Sequence, residues 1–444
     1  MFNTFKTTIS NIFHIPELRT KLFWTLGLLL LYRLGSHIPI PGIDTAVLKE
    51  YQRNISQIWG GALTVFSTIS GGAIGNCALF SLGIMPYISA SIIFSLLTKV
   101  VPKLEALSKE GQSGQRKINE YTRLAAVPIC IIQSYFIIKM LAGPQSGGRY
   151  LIQPADFTFG FILFSMIALT GGTLFLMWLS ELITDHGLGN GASMLIMAGI
   201  LADLPTTIQL MFADDQRDIF KMVILFGIFI LIVSAVVLIT QGQRRIPVQQ
   251  AKHTRGRKVY GGQKHYMPLR VNQAGVMPVI FASSLLIVPT FIAKAFGSNV
   301  LESLVGYDSF FYILMYCVMI FFFSFFWTNL MFAPLEMANQ MKEHGSFIPG
   351  IRPGKNTSVY LEGIVTRITF VGAIFLAMIA LMPQLVSWGL GLKGYGNMAV
   401  RFLGGTGLLI VVGVALDVVQ KVESHLLMRN YHGFVRRGRI RGRR

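Results

Sequence analysis

Runs of roughly 20 mostly apolar residues recur along this chain, and a segment of that length suffices to cross the hydrocarbon core of a bilayer as a helix. Ten are legible, at 22–40, 76–97, 121–141, 157–180, 192–212, 219–240, 273–296, 309–332, 363–383 and 399–420. With 52% hydrophobic and 13% charged residues among 444, the polar segments between them leave little room for a separate soluble domain. The expected fold is an all-α polytopic membrane protein with about ten transmembrane helices.

The charge pattern orients these spans, because Lys and Arg near span ends stay on the cytoplasmic side. One side carries the N-terminus, the 98–120 loop (Lys99, Lys103, Lys109, Arg116, Lys117), the 241–272 loop (Arg244, Arg245, Lys252, Arg255, Arg257, Lys258, Lys264, Arg270) and the tail after Lys421. On the other side, 203–218 sets Asp203, Asp214, Asp215 and Asp218 against Arg217, and 297–308 holds Glu302 and Asp308. The basic side reads as cytoplasmic, with both termini inside, as an even number of spans requires. One turn departs from the pattern: after the fourth span come Glu181 and Asp185 with no Lys or Arg. The first run has a basic flank (Lys6, Arg19, Lys21) but no small-residue cleavage site, so it reads as a retained span. Ahead of it, Phe2, Phe5, Ile9 and Ile12 fit either a surface-lying amphipathic helix or a frayed terminus.

Chemistry is scarce. Cys77, Cys130 and Cys317 are odd in number and each sits in an apolar run, as packing thiols do. His253, His265 and His344 lie in polar loops, and no metal spacing, phosphate loop or pair of intramembrane acids is present. No cofactor or catalytic residue is expected. The span centres are nearly free of ionisable groups, whereas ion-coupled transporters need them as relays. Arg33, Lys139 and Asp417 lie near span ends, where Arg33 and Lys139 can snorkel. Residues 62–97 are too long for one span and are interrupted by Gly71, Gly72 and Gly75. The piece Ala62–Ser70 is too short to cross, so it is either a re-entrant helix inside a cavity or a partly exposed helix on the outer face.

Six motifs, in order among the spans, carry a resemblance over nearly the whole chain. They are Ile38-Pro39-Ile40-Pro41-Gly42-Ile43-Asp44, Gly83-Ile84-Met85-Pro86-Tyr87-Ile88-Ser89-Ala90-Ser91, Gly187-Leu188-Gly189-Asn190-Gly191, Gly242-Gln243-Arg244-Arg245-Ile246-Pro247, Val271-Asn272-Gln273-Ala274-Gly275-Val276-Met277-Pro278 and Ile348-Pro349-Gly350-Ile351-Arg352-Pro353-Gly354. In these the chain resembles the SecY family, the channel subunits of the bacterial Sec protein translocase.

The resemblance implies two inverted five-helix halves around a central pore, although no inverted repeat is visible in the sequence itself. The halves would be 1–212, with a re-entrant plug helix near 62–70, and 213–420, with large cytoplasmic loops at 241–272 and 333–362; 421–444 would be a basic tail. It implies an apolar pore ring of Ile84, Ile88, Ala192, Ile196, Ile280 and Ile410, with Ala192 standing where the family commonly has a branched side chain. Such a ring disfavours water and ions without bonding any particular peptide. It implies a lateral gate marked by Ser89, Gln133 and Asn272, although Gln133 suits a purely structural helix-helix bond equally well. Arg257, Lys258 and Arg352 would dock the SecA motor ATPase or ribosomal RNA. Further implied partners are small membrane subunits of the SecE and SecG type, signal sequences and nascent polypeptides. The tail Arg436–Arg444 would meet anionic lipid or RNA. The implied setting is the bacterial inner membrane and the implied function is a protein-conducting channel.

Overall fold

Helices occupy part of each of the ten apolar runs in a computed structural model that describes residues 15–43, 70–141, 152, 157–213, 219–251, 253–255, 258–260, 262, 264–296, 309–390 and 406–437. They are α1 (Pro16–Gly35), α2 (Met85–Val100), α4 (Gln112–Leu141), α5 (Phe159–His186), α6 (Gly191–Ala213), α7 (Ile219–Gln241), α8 (Met277–Phe296), α9 (Phe310–Met331), α11 (Lys355–Leu390) and α12 (Thr406–Arg437). Two short helices, α3 (Pro102–Lys109) and α10 (Pro334–Glu343), lie in the polar loops. Among the described residues, α4, α5, α7, α9 and α11 each suffice to cross a membrane by length and hydropathy, and α2 with α3 makes a pair bent by 99°. Charges explain two of the remainder: Arg19, Lys21 and Arg33 lie in α1, and Asp417, Lys421 and Glu423 in α12.

The second span differs from its expected limits. It starts at Met85 rather than residue 76, because residues 70–84 form successive turns and Pro86 sits in the first helical turn, where its missing N–H costs nothing.

The chain divides into two compact units, residues 1–206 with 414–444, and residues 207–413. In the first, α5 is central and packs against α1 and α4, while α4 also packs against α2 and α3. The buried stripe of α5 mixes small and apolar side chains: Ser165, Leu169, Gly172, Thr173, Leu176, Leu179, Ser180 and Ile183. Small residues let membrane helices approach closely where no hydrophobic force drives them together. The outward face carries Phe164, Ile167, Phe175 and Trp178, as suits contact with lipid. Arg123 Nε on α4 meets Glu181 Oε1 on α5 at 2.6 Å. That ion pair accounts for one of the two acids in the turn that breaks the charge pattern.

In the second unit, α9 packs against α8 and α11, and α7 against α11. Ile232, Val236, Val279, Leu286, Ile320, Leu376 and Leu409 form its membrane core. Beside it stands a sheet that the sequence reading did not anticipate. β1 (Gln243–Gln250) pairs antiparallel with β4 (Lys264–Arg270), from Gln243↔Arg270 to Gln249↔Lys264. β5 (Ser346–Phe347) adds to the other edge of β1 through Gln249↔Phe347, giving the order β4-β1-β5. Ile246 and Leu269 anchor the sheet in a second core with Phe332, Ile348, Leu361, Ile364 and Val365. Loops 241–272 and 333–362 are therefore joined in one folded body. Between β1 and β4 in the chain, β2 (His253–Arg255) pairs with β3 (Lys258–Tyr260) as a separate two-stranded sheet, Arg255 opposite Lys258.

Candidate functional site

The first pair of candidate ring residues lies where a knot of turns becomes a helix. Ile84 is the residue before α2 and is 5% exposed; Ile88, one turn on, is 8% exposed and donates its N–H to the Ile84 carbonyl (3.1 Å). The preceding turns are tied to the segment after α1: Ile40 N donates to Cys77 O (2.9 Å), Leu79 N to Ile38 O (2.9 Å), and Pro39 bridges Ala78. The Ile38–Asp44 motif thus has a visible task through residue 43, holding the approach to α2.

The second pair follows the 187–191 motif. Leu188 N donates to Thr25 Oγ1 (3.0 Å), which fastens the α5–α6 turn to α1. The Asn190 side chain accepts from Ala192 N (3.0 Å) and Ser193 N (3.3 Å), capping the otherwise unpaired donors of α6. Gly191 N donates to Thr184 Oγ1 (2.9 Å). Ala192 is partly exposed in the first turn of α6 and Ile196 is buried one turn later.

In the second unit, Val271 N closes on Gly242 O (2.9 Å), so the hairpin hands the chain directly to the turn before α8. Asn272 Nδ2 donates to Gly275 O (3.1 Å), shaping that turn. A Cβ placed on Gly413 of α12 would lie 3.3 Å from Val276 Cγ1, so α8 and α12 meet closely here. Ile280 and Ile410, both buried, sit about one turn from this approach.

Of the candidate gate residues, Ser89 and Gln133 are partly buried on α2 and α4, and these two helices pack together. Gln133 Oε1 is buried and accepts no hydrogen bond from the described residues. A carbonyl left so costs about 1–3 kcal/mol and is ready to accept a donor that arrives later.

Arg352 is exposed on a turn held from both sides. Ile351 N donates to Ile348 O (3.1 Å), Thr357 Oγ1 donates to Arg352 O (3.0 Å), and Gly350 and Gly354 adopt φ of +86° and +106°. Lys258 opens β3, while Arg257 and residues 62–69 of the candidate plug lie outside the described residues. Among the described residues no grouping of His, Cys, Asp and Glu could hold a metal. Among the features that escaped the sequence reading are the Arg123–Glu181 pair and the sheet under Arg352. The alternation of Ile246 and Val248 in β1, answered by Met267 and Leu269 in β4, was the available signal for the sheet.

A family model described as SecY matches residues 78–419. The chain belongs to the SecY family. Curated relatives of this SecY chain include protein translocase subunit SecY of Thermotoga maritima, 38% identical over all of both chains, and that of Corynebacterium glutamicum, 41% identical over 97% of this chain and 100% of the relative. The counterpart in Thermus thermophilus is 40% identical over 97% of each. Among solved structures, "The structure of a protein conducting channel" matches with a TM-score of 0.56 at 18% identity, covering 91% of this chain and 92% of that one. "Sec61 in the Canine ribosome-channel complex from the endoplasmic reticulum" matches with the same TM-score at 16% identity over 91% and 92%. These two likenesses bear on the fold alone. This SecY chain is a multi-pass helical membrane protein and a channel subunit of a protein translocase, not an enzyme.

Proposed function

We propose that the chain conducts unfolded secretory polypeptides across the bacterial inner membrane and releases transmembrane segments sideways into lipid. The observation that carries this reading is the way its motifs are used. Each candidate ring pair in the first unit stands at the start of a helix, Ile84 and Ile88 at α2 and Ala192 and Ile196 at α6, directly after a hydrogen-bonded turn. In the second unit the turn before α8 sets Ile280, and Ile410 lies on α12 beside the close approach of those two helices. Apolar side chains of this kind, when gathered in a ring, exclude ions while tolerating any peptide sequence.

Energy comes from a partner, and the ring of candidate partners is the SecA motor, the ribosome, and small subunits of the SecE and SecG type. Both termini face the cytoplasm, as do the β2–β3 pair that carries Lys258 and the turn after β5 that carries Arg352. The tail meets anionic lipid or RNA. The plug assigned to 62–70 seals the outer side at rest.

Replacing Ile88 by Asn is expected to raise ion conductance of purified channels in planar bilayers without any precursor present, with Ile280→Asn acting in the same direction. Unchanged conductance removes both residues from the ring. Precursor reconstituted with SecA and ATP becomes protease-protected if the chain forms a channel; a transporter or scaffold would leave it exposed.

Ser89, Gln133 and Asn272 mark the lateral gate. Interhelical polar contacts in a membrane contribute about 0.6–2 kcal/mol each, enough to hold a seam that a signal sequence opens. Asn272→Leu is expected to change signal-sequence crosslinking to α2 by several-fold, since about 1 kcal/mol on a closed–open balance is a factor of about 5. Crosslinking and export both at wild-type level would withdraw Asn272 from the gate.

A further inference from the structure

The candidate ring residues of the first unit are held by something other than their own helices. Arg33 lies in the last turn of α1, where a cation complements the helix dipole. Its guanidinium does not simply reach for water. Nη1 donates to the Gly71 carbonyl at 3.1 Å, across 38 residues of sequence. Next to it, the buried Tyr32 hydroxyl donates to the Ser70 carbonyl at 3.2 Å. Asn76 Nδ2 returns a bond to Ser36 O (3.2 Å). Three side-chain bonds thus join the end of α1 and its following residue to the first turns of the 70–84 segment.

That segment is closely packed and internally bonded. Ser70, Ala73, Cys77, Ala78, Ser81 and Leu82 are 0–1% exposed. Ala78 N donates to Ala73 O (2.9 Å), Ser81 Oγ to Ala73 O (3.0 Å) and Gly83 N to Phe80 O (2.8 Å), so the turns are bonded through to the residue before Ile84. Gly71 also touches a second ring-bearing helix. Its φ is +69°, and a Cβ there would lie 2.9 Å from Gly199 Cα on α6 and 2.8 Å from the Tyr32 hydroxyl. Gly199 lies one turn after Ile196. The backbone at Gly71 therefore fits between the Arg33–Tyr32 end of α1 and the part of α6 that carries Ile196.

We propose that Arg33 and Tyr32 are positioning residues for the pore seal: by gripping the carbonyls of Gly71 and Ser70 they fix the start of α2, and with it Ile84 and Ile88, against α6 and Ile196. This rests on the ring assignment above. Both act through the turn rather than as members of the ring. A charge-assisted bond to a backbone carbonyl suits the task because it stays strong in a poorly solvated place, and because a carbonyl in a bonded turn moves only with the whole turn.

The experiment measures precursor-free conductance of reconstituted channels for Arg33→Gln, Arg33→Lys, Tyr32→Phe and Ile88→Asn, each normalised to the amount of assembled protein. Loss of the charged donor is expected to raise the leak of Arg33→Gln about tenfold, the scale set by one charge-assisted hydrogen bond. Tyr32→Phe leaks in the same direction by less, and Arg33→Lys, which keeps charge and donor, stays near wild type. Ile88→Asn leaks as the ring predicts. Wild-type conductance in both Arg33→Gln and Tyr32→Phe, beside a leaking Ile88→Asn, overturns the clamp and leaves the ring standing. A leak in Arg33→Gln without one in Ile88→Asn overturns the link between clamp and ring, and a silent set overturns both. Arg33→Lys leaking as much as Arg33→Gln removes the charge and donor as the cause. If Arg33→Gln does not accumulate, Tyr32→Phe, which removes one oxygen, decides alone.

Discussion

Adding a single methyl group at position 191 is expected to cost about 3 kcal/mol of stability, the upper end of what overpacking costs in a tightly built interior. α6 begins against the side of α5, and a Cβ on Gly191 would overlap the Ser180 carbonyl oxygen and lie 2.9 Å from Ser180 Cα. Both are backbone atoms inside a helix, so neither can turn aside as a side chain would. The same approach lets Gly191 N reach Thr184 Oγ1 and lets Asn190 cap the helix, so displacement would also leave donors unpaired. Thermal unfolding of Gly191→Ala in detergent, compared with wild type, measures the effect. Gly27→Ala is the control, since a Cβ there meets nothing within 4 Å and alanine is the better helix former. Equal unfolding temperatures for the two variants would show that α6 does not depend on this contact. The consequence reaches the candidate ring, because Ala192 follows at once in the chain and Ile196 one turn later.

The helices were legible because the bilayer imposes a length; ten apolar runs answer it in the sequence, and five of the described helices are long and apolar enough to cross. What the runs could not give was their ends. α2 reads as beginning near residue 76 because Ala78, Leu79 and Phe80 are as apolar as any helix interior, yet the chain turns there and buries Ala78 and Phe80 without a helix. Apolar burial without a helix leaves no periodic signal. Polar contacts between distant elements were equally hidden. Arg33 looked like a side chain that snorkels, since nothing in the sequence points from residue 33 to the Gly71 carbonyl. Glu181 looked like an exception to the charge rule until its partner on α4 was seen.

The candidate ring was legible only through motifs. Ile88 and Ile280 are buried to the same degree as Leu188 and Val414, and an isoleucine in a membrane helix carries no mark of the pore. The joining of the two loops through the sheet escaped for a different reason. Loops 241–272 and 333–362 are far apart in sequence, and their pairing depends on β5, a strand of two residues. A strand that short has no pattern to read.

Replacing Arg352 by Glu is expected to lower motor-driven export by about two orders of magnitude, since reversing a charge at a docked interface costs about 2–5 kcal/mol. The structure sharpens why this position, among many basic residues on the same loops, is the one to choose. Exposed lysines and arginines on loose loops gain little from one contact, because holding a long side chain still uses up most of the gain. Arg352 starts from a different place. Its turn is bonded at Ile348 and Thr357, Ile348 is buried beside Leu361 and Val365, and Phe347 two residues before the turn joins β1. The backbone under Arg352 is thus already ordered before any partner arrives, and a docking partner need order only the side chain. The assay is protease protection of a precursor in vesicles containing the channel, supplied with SecA and ATP. Arg352→Lys keeps charge but loses the planar, forked donor set, so it is expected to fall between wild type and Arg352→Glu. Because the side chain is exposed, both variants are expected to accumulate normally. Full export by Arg352→Glu at equal channel content would mean that the motor reads some other part of the basic surface, and the braced turn would then serve only to close the sheet.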